Sequence, residues 1–163
     1  MKSMILAFTL FAIPAWSQDE TVNKTFKYNG LGYTFFSAGA CQHGYANIGV
    51  GAGGEGFLWR GLTIGGDIGY YKFPADRNAG YGVAMLGPGY HFVNRNKRAK
   101  FDPYVNGNVL GIVFAPGGAA AAGSFGAGVN YWFKDRMGLQ IGGQVQGACC
   151  EAIAQFRIGL TFR

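Results

Sequence analysis

Long apolar runs are scarce in this 163-residue chain. Beyond residue 17 no stretch approaches the roughly 18 consecutive apolar residues that mark a membrane-spanning helix. Charge is scarce as well, at 13% of residues, and acid is scarcer than base, with 8 Asp and Glu against 14 Lys and Arg. Cysteine occurs three times, as Cys41, Cys149 and Cys150, with no C-x-x-C spacing. His-Glu-x-x-His is also absent, so the sequence suggests no metal site and no cofactor. The net charge of +6 and pI near 9.3 do not mark a nucleic-acid surface. Apart from Arg95, Lys97, Arg98 and Lys100, the basic residues are too scattered for one.

Glycine and aromatics are abundant. Glycine supplies 29 residues without a Gly-X-Y period, which excludes collagen, and 16% of residues are aromatic, which argues against a disordered glycine-rich polymer. Both types in short alternating segments suit a β-barrel. Small residues allow close strand approach, and aromatics mark membrane interfaces.

Residues 1–17 read as a secretory signal: Lys2, an apolar run from Met4 to Ile13, then Ala15-Trp16-Ser17 ahead of a cut before Gln18. The run is too short to span a bilayer, and no cysteine follows the cut to carry a lipid. Residues 18–28 form a short periplasmic segment, and 29–163 the barrel. Export of such a chain leaves a closed barrel as its route into a membrane.

The segment from Glu151 to Arg163 carries the clearest pattern. Ala152, Ala154, Phe156, Ile158, Leu160 and Phe162 fall on one face; Glu151, Gln155, Arg157, Thr161 and Arg163 fall on the other with Ile153 and Gly159. A period of two over this length is a strand between a greasy and a wet environment, and it reaches the roughly 9–11 residues of a membrane strand. Met137 to Gln146 alternates likewise, with Gln140 and Gln144 on the wet face. From Ser124 to Phe133, Phe125, Ala127, Val129, Tyr131 and Phe133 oppose Gly126, Gly128 and Asn130. Phe101 to Phe114 sets Val105, Gly107, Val109, Gly111 and Val113 against Asn106 and Asn108. Tyr81 to Phe92 is apolar on both faces, and Pro88 weakens it as a regular strand. Ile64 and Ile68 alternate with Gly65 and Asp67, and Ile48, Val50 and Ala52 with Asn47, Gly49, Gly51 and Glu55. The first strand, near Leu31 to Ala40, is the least regular.

Eight strands result, the smallest bacterial transmembrane barrel, whose interior is just filled by side chains. With both termini in the periplasm, the periplasmic turns are Trp59-Arg60-Gly61, Asn94 to Ala99 and Lys134-Asp135-Arg136. The outer loops fall near Cys41 to Tyr45, Pro74 to Ala79, Ala115 to Ala120 and Ala148 to Cys150, and all are short. Trp59, Tyr90, Phe92, Tyr131, Trp132 and Phe133 are expected in one aromatic girdle, and Tyr70, Tyr71, Phe73, Tyr81 and Phe114 in the other.

Phe101-Asp102-Pro103-Tyr104-Val105 and Gly126 to Phe133 resemble the fifth and sixth strands of small outer-membrane β-barrels of the opacity-protein and outer-membrane-protein-A type. Lys134 to Leu139 resembles that superfamily's turn into the seventh strand. Phe156, Ile158, Leu160 and Phe162 stand where the resemblance implies a signal for the barrel-assembly machinery. The resemblance implies an eight-stranded antiparallel up-and-down transmembrane barrel in a Gram-negative-type outer membrane. It specifies fold far better than activity.

Glu55, Asp67 and Arg157 share the wet face, where a lone charge is costly, and are expected to form one ionic cluster in the lumen. The cluster would act as a plug or line a path for ions. Cys41 and the Cys149-Cys150 pair lie where the first and eighth strands must meet. They form a disulfide at that seam or remain three free thiols. Gly49-Val50-Gly51-Ala52-Gly53-Gly54 fits G-x-G-x-x-G, but strand-like sequence follows where a dinucleotide site needs a helix. His91 and His43 have no local hydroxyl partner, and Ser37 and Ser124 sit in small-residue strands, so no reaction is indicated.

The expected protein is a monomer whose partners are outer-membrane lipid, lipopolysaccharide and, during biogenesis, the assembly machinery. A structural or surface-interaction role is expected. The alternatives are a narrow channel for water or small ions, or a soluble periplasmic ligand-carrying barrel with its greasy faces inward.

Overall fold

The computed structural model describes residues 29–74, 80–92, 99–148 and 151–163. Residues 1–17, expected to be a secretory signal, and residues 18–28 lie outside the described residues. Eight strands follow in chain order: β1 (Gly30–Cys41), β2 (Ala46–Trp59), β3 (Leu62–Lys72), β4 (Gly80–His91), β5 (Phe101–Ala115), β6 (Gly118–Lys134), β7 (Met137–Ala148) and β8 (Glu151–Phe162). Each pairs antiparallel with the next, and β8 returns to β1, so the sheet closes as a barrel.

The alternation places greasy side chains outward. Phe156, Ile158 and Leu160 are 55%, 42% and 42% exposed, while Gln155 and Arg157 on either side of Phe156 are buried. A carrier with an inward-facing greasy core requires the opposite orientation, so that alternative is set aside. Val50, Ile64, Ile68, Phe125 and Val145 continue the apolar exterior around the wall.

β1 is regular in the structure. Leu31, Tyr33, Phe35 and Ser37 point inward while Thr34, Phe36, Ala38 and Ala40 point outward. Large apolar groups stand on both faces, which hides the period in the sequence. β4 resolves the same way, with Tyr81, Val83, Met85 and His91 inside and Leu86, Pro88 and Tyr90 outside. Pro88 sits where the β4–β5 pairing loses register between Leu86 and Gly89, the kind of interruption that tolerates a missing N–H.

Two expectations are corrected on β5 and β6. The β5–β6 register shifts between Asn108 and Gly111, so Val109 and Leu110 both face outward. Beyond this bulge the parity inverts: Val113 packs against the inner apolar cluster, and a Cβ on Gly111 would lie 2.9 Å from Met85 Cγ. Gly111 and Val113 therefore leave the face they share by simple alternation with Val105. The loop expected at Ala115 to Ala120 is also mostly strand. Ala119, Ala120 and Ala121 pair with Phe114, Val113 and Ile112, leaving Pro116-Gly117 as the turn and Gly118 at φ 135°.

Four girdle assignments change as well. Tyr71, Tyr81 and Trp132 are buried inside the barrel, and Phe73 is half-buried against the inner apolar cluster. Tyr71, Tyr81 and Trp132 have the inward parity of their strands, which outweighs nearness to a strand end. Trp59, Tyr90, Phe92, Tyr131 and Phe133 are exposed at one end, and Tyr70 and Phe114 towards the other.

Candidate functional site: the barrel lumen

The lumen is built by matching rings on one strand to glycines on the next. Tyr33 and Phe35 of β1 stand opposite Gly53 and Gly51 of β2, and Tyr71 of β3 opposite Gly49. A Cβ on Gly53 would lie 2.6 Å from the Tyr33 ring; one on Gly51 or Gly49 would collide with Phe35 or Tyr71. The G-x-G-x-x-G stretch is therefore half of a packing pattern, its inward glycines forming a bed for three rings. On the far wall the Tyr104 hydroxyl lies over Gly128 and Gly142, 2.7 and 2.9 Å from where their Cβ atoms would be.

Polar groups fill the remaining space in three levels along the axis. At mid-barrel, Arg157 Nη1 donates to Asp67 Oδ2 at 2.7 Å and Nη2 to the Tyr71 hydroxyl at 2.8 Å. The guanidinium carbon stands 4.0 Å from the centroid of the Phe35 ring. Both charged side chains are buried, so the ion pair and its hydrogen bonds must offset the loss of water.

Glu55 lies elsewhere, in a second ionic group near the end of the barrel that carries the termini. Its Oε2 accepts from Thr63 Oγ1 at 2.6 Å and stands 3.3 Å from His91 Nε2. His91 Nδ1 lies 2.8 and 2.9 Å from the two oxygens of Asp102, and Asn130 Nδ2 donates to Asp102 Oδ2 at 3.4 Å. A carboxylate at each ring nitrogen matches the imidazolium, in which both nitrogens donate. Gly89 makes room: a Cβ there would lie 2.5 Å from Thr63 Oγ1 and 3.0 Å from Glu55 Oε2. The Tyr104 ring stacks on His91 at 5.7 Å, and Phe57 stands 5.1 Å away on another side.

At the opposite end Gln155 Nε2 donates to Asn47 Oδ1 at 2.9 Å, and Asn47 Nδ2 donates to the Tyr81 hydroxyl at 3.2 Å. Tyr81 stacks on Tyr71 at 5.2 Å, linking this level to the middle one.

The structure thus brings Asp67 and Arg157 together and places Glu55 with His91 and Asp102. Alternation marks Asp102, which shares parity with Asn106, as an inward residue. His91 was harder to find because its strand is apolar on both faces. Of the other candidates, Gln140 and Gln144 are buried on the inner wall, and Ser124 Oγ accepts from Asn108 Nδ2 at 3.0 Å. Ser37 is buried, and His43 lies on the exposed turn after β1. Cys41 is buried beside Ile153 in the inner apolar cluster; Cys149 and Cys150 lie outside the described residues.

A void lined by Tyr33, Tyr104, Asn106, Gln140, Gln144 and Arg157 has about 10 Å³ of room, enough for about one water.

Solved structures share this architecture. The fold is that of the small eight-stranded outer-membrane β-barrels. Neisserial surface protein A is similar over 82% of this chain and 94% of its own, with TM-score 0.59 and 13% identity. The N-terminal β-barrel domain of Pseudomonas aeruginosa OprF is similar over 82% of this chain and 98% of its own, with TM-score 0.58 and 17% identity. Ail, the attachment invasion locus protein of Yersinia pestis, is similar over 82% and 97%, with TM-score 0.55 and 8% identity. Neither a family model nor a curated protein matches the chain. At these identities the likeness concerns the fold.

Proposed function

We propose that the chain is an integral protein of the bacterial outer membrane with a structural or surface-interaction role and a lumen closed by its own side chains. The Arg157–Asp67 bridge carries this reading, because it spans the barrel at mid-height beside a void of about 10 Å³. A hydrated ion needs a continuous wet path, and the rings of Tyr33, Phe35, Tyr71 and Tyr104 occupy that space. The described turns at the end away from the termini, Gln42–Tyr45 and Pro116–Gly117, are short. We assign no reaction: carboxylates occupy both nitrogens of His91, and the nearby Thr63 hydroxyl is directed to Glu55.

A second reading, a narrow path for water, draws on one observation. Polar atoms of Gln144, Gln146 and Gln155 are buried without a protein partner among the described residues, and such atoms are usually satisfied by ordered water. Single-channel recording in planar bilayers, with osmotic swelling of proteoliposomes beside it, separates the readings. Silent bilayers and unchanged swelling are the outcome of a closed lumen. Stepwise conductance or accelerated swelling replaces the first reading by the second.

A further inference from the structure

The end of the barrel that carries the termini is strongly basic. Among the described residues at this rim stand Arg60 on the β2–β3 turn, Lys100 before β5, Lys134 and Arg136 around the β6–β7 turn, and Arg163 after β8. Asp135 is the one exposed acidic side chain there among the described residues, and its carbonyl accepts from Arg163 Nε at 2.9 Å. Arg60, Lys100, Lys134 and Arg136 are exposed and spread over three of the four quadrants of the rim.

Directly inside this ring lies a belt of outward aromatics. Trp59 is 65% exposed and Phe92 61%, with Phe101, Tyr131 and Phe133 continuing around the wall. The Arg60 guanidinium stands over the Trp59 ring at 4.7 Å, so cation and aromatic share one patch of the rim. Aromatic side chains settle at the boundary between acyl chains and headgroups. A cation one residue further out then sits at the depth of the lipid phosphates.

We infer that this rim is a docking surface for anionic phospholipid, binding phosphatidylglycerol-type headgroups of the leaflet that faces the periplasm. The inference rests on the membrane-barrel reading and on the termini facing the periplasm. Charge complementarity selects the occupant, since cations on separate turns match phosphates spread over a bilayer plane. A compact anion would engage one turn only. Lipid attraction of this kind is electrostatic and weakens with salt.

Two of the three tryptophans, Trp59 and Trp132, lie in the barrel and supply the test, made on protein that begins at Gln18 and so lacks Trp16. Trp59 is at the rim, whereas Trp132 is buried in the lumen and gives a constant background. The protein, refolded into phosphatidylcholine vesicles, receives equal mole fractions of dibrominated phosphatidylglycerol or dibrominated phosphatidylcholine, and Trp59→Phe identifies the rim signal. The expected result is several-fold stronger relative quenching of Trp59 by the brominated phosphatidylglycerol at low salt. This preference falls to parity in high salt and in an Arg60→Gln, Lys100→Gln, Lys134→Gln, Arg136→Gln variant that still shows a heat-modifiable barrel. Equal quenching by both lipids in an inserted wild-type barrel overturns the inference and leaves the barrel reading standing. Failure of the wild type to insert overturns both.

Discussion

Arg157 on β8 and Asp67 on β3 meet across the middle of the barrel at 2.7 Å, although 90 residues separate them in the chain. Neither side chain can reach bulk water, so each charge depends on the other. Removing one leaves the second buried and uncompensated.

Arg157→Ala is therefore expected to cost about 3–5 kcal/mol of stability. Replacing both partners, Arg157→Met with Asp67→Leu, should recover most of the loss because no charge then remains buried. The check is the temperature at which the folded band on unboiled gels converts to the unfolded one, measured for wild type, single and double variants. A single variant as heat-resistant as wild type contradicts the bridge.

The second ionic group makes an independent prediction. His91→Leu removes the cation between Glu55 and Asp102 and leaves two buried carboxylates facing an apolar side chain. A loss of about 3–5 kcal/mol is expected, with partial recovery in a His91→Leu, Asp102→Asn, Glu55→Gln triple variant. Urea unfolding from lipid vesicles measures both. His91 and Arg157 losses should add, since Glu55 and Asp67 answer to different cations.

The glycine bed of β2 predicts a contrast between neighbours. Gly51→Val drives side-chain atoms into the Phe35 ring and the Ile68 carbonyl, costing about 1–3 kcal/mol. Ala52→Val, one residue later and facing outward, should stay within about 0.5 kcal/mol of wild type. Equal effects at the two positions would mean that the inner wall has slack.

On the lipid side, Ile158→Arg places a cation on the apolar wall, with an expected cost of about 2–4 kcal/mol near the bilayer midplane. Ile158 is 42% exposed, so the effect comes from lipid contact rather than from internal packing. Folding efficiency into vesicles, compared with Ile158→Leu, reads the difference. An arginine variant that folds as well as the leucine one argues against lipid at this position.

Much of this architecture was legible from period alone. Phe156, Ile158 and Leu160 against Gln155 and Arg157 already imply two environments, and the same logic assigns β2, β3, β6 and β7. Where both faces carry large apolar groups, as at Tyr33, Phe35 and Phe36, or at Met85 and Leu86, period carries little information. The Asn108–Gly111 irregularity was unreadable, because a bulge depends on how two strands meet rather than on either strand alone. Tyr71, Tyr81 and Trp132 looked like girdle residues because they stand near strand ends, although the parity of their strands turns them inward.

Local alternation, membrane-length strands and polar turns between them determined that the chain makes an up-and-down barrel with a greasy exterior. Those features act between near neighbours, and two-residue periodicity records them directly. Which inward groups meet was decided only when β8 closed onto β1. Closure set the stagger that brings Arg157 to Asp67, gives His91 both Glu55 and Asp102, and lays three rings over the glycines of β2. Partners on opposite walls share no local signal, so their choice belongs to the register of the whole cylinder.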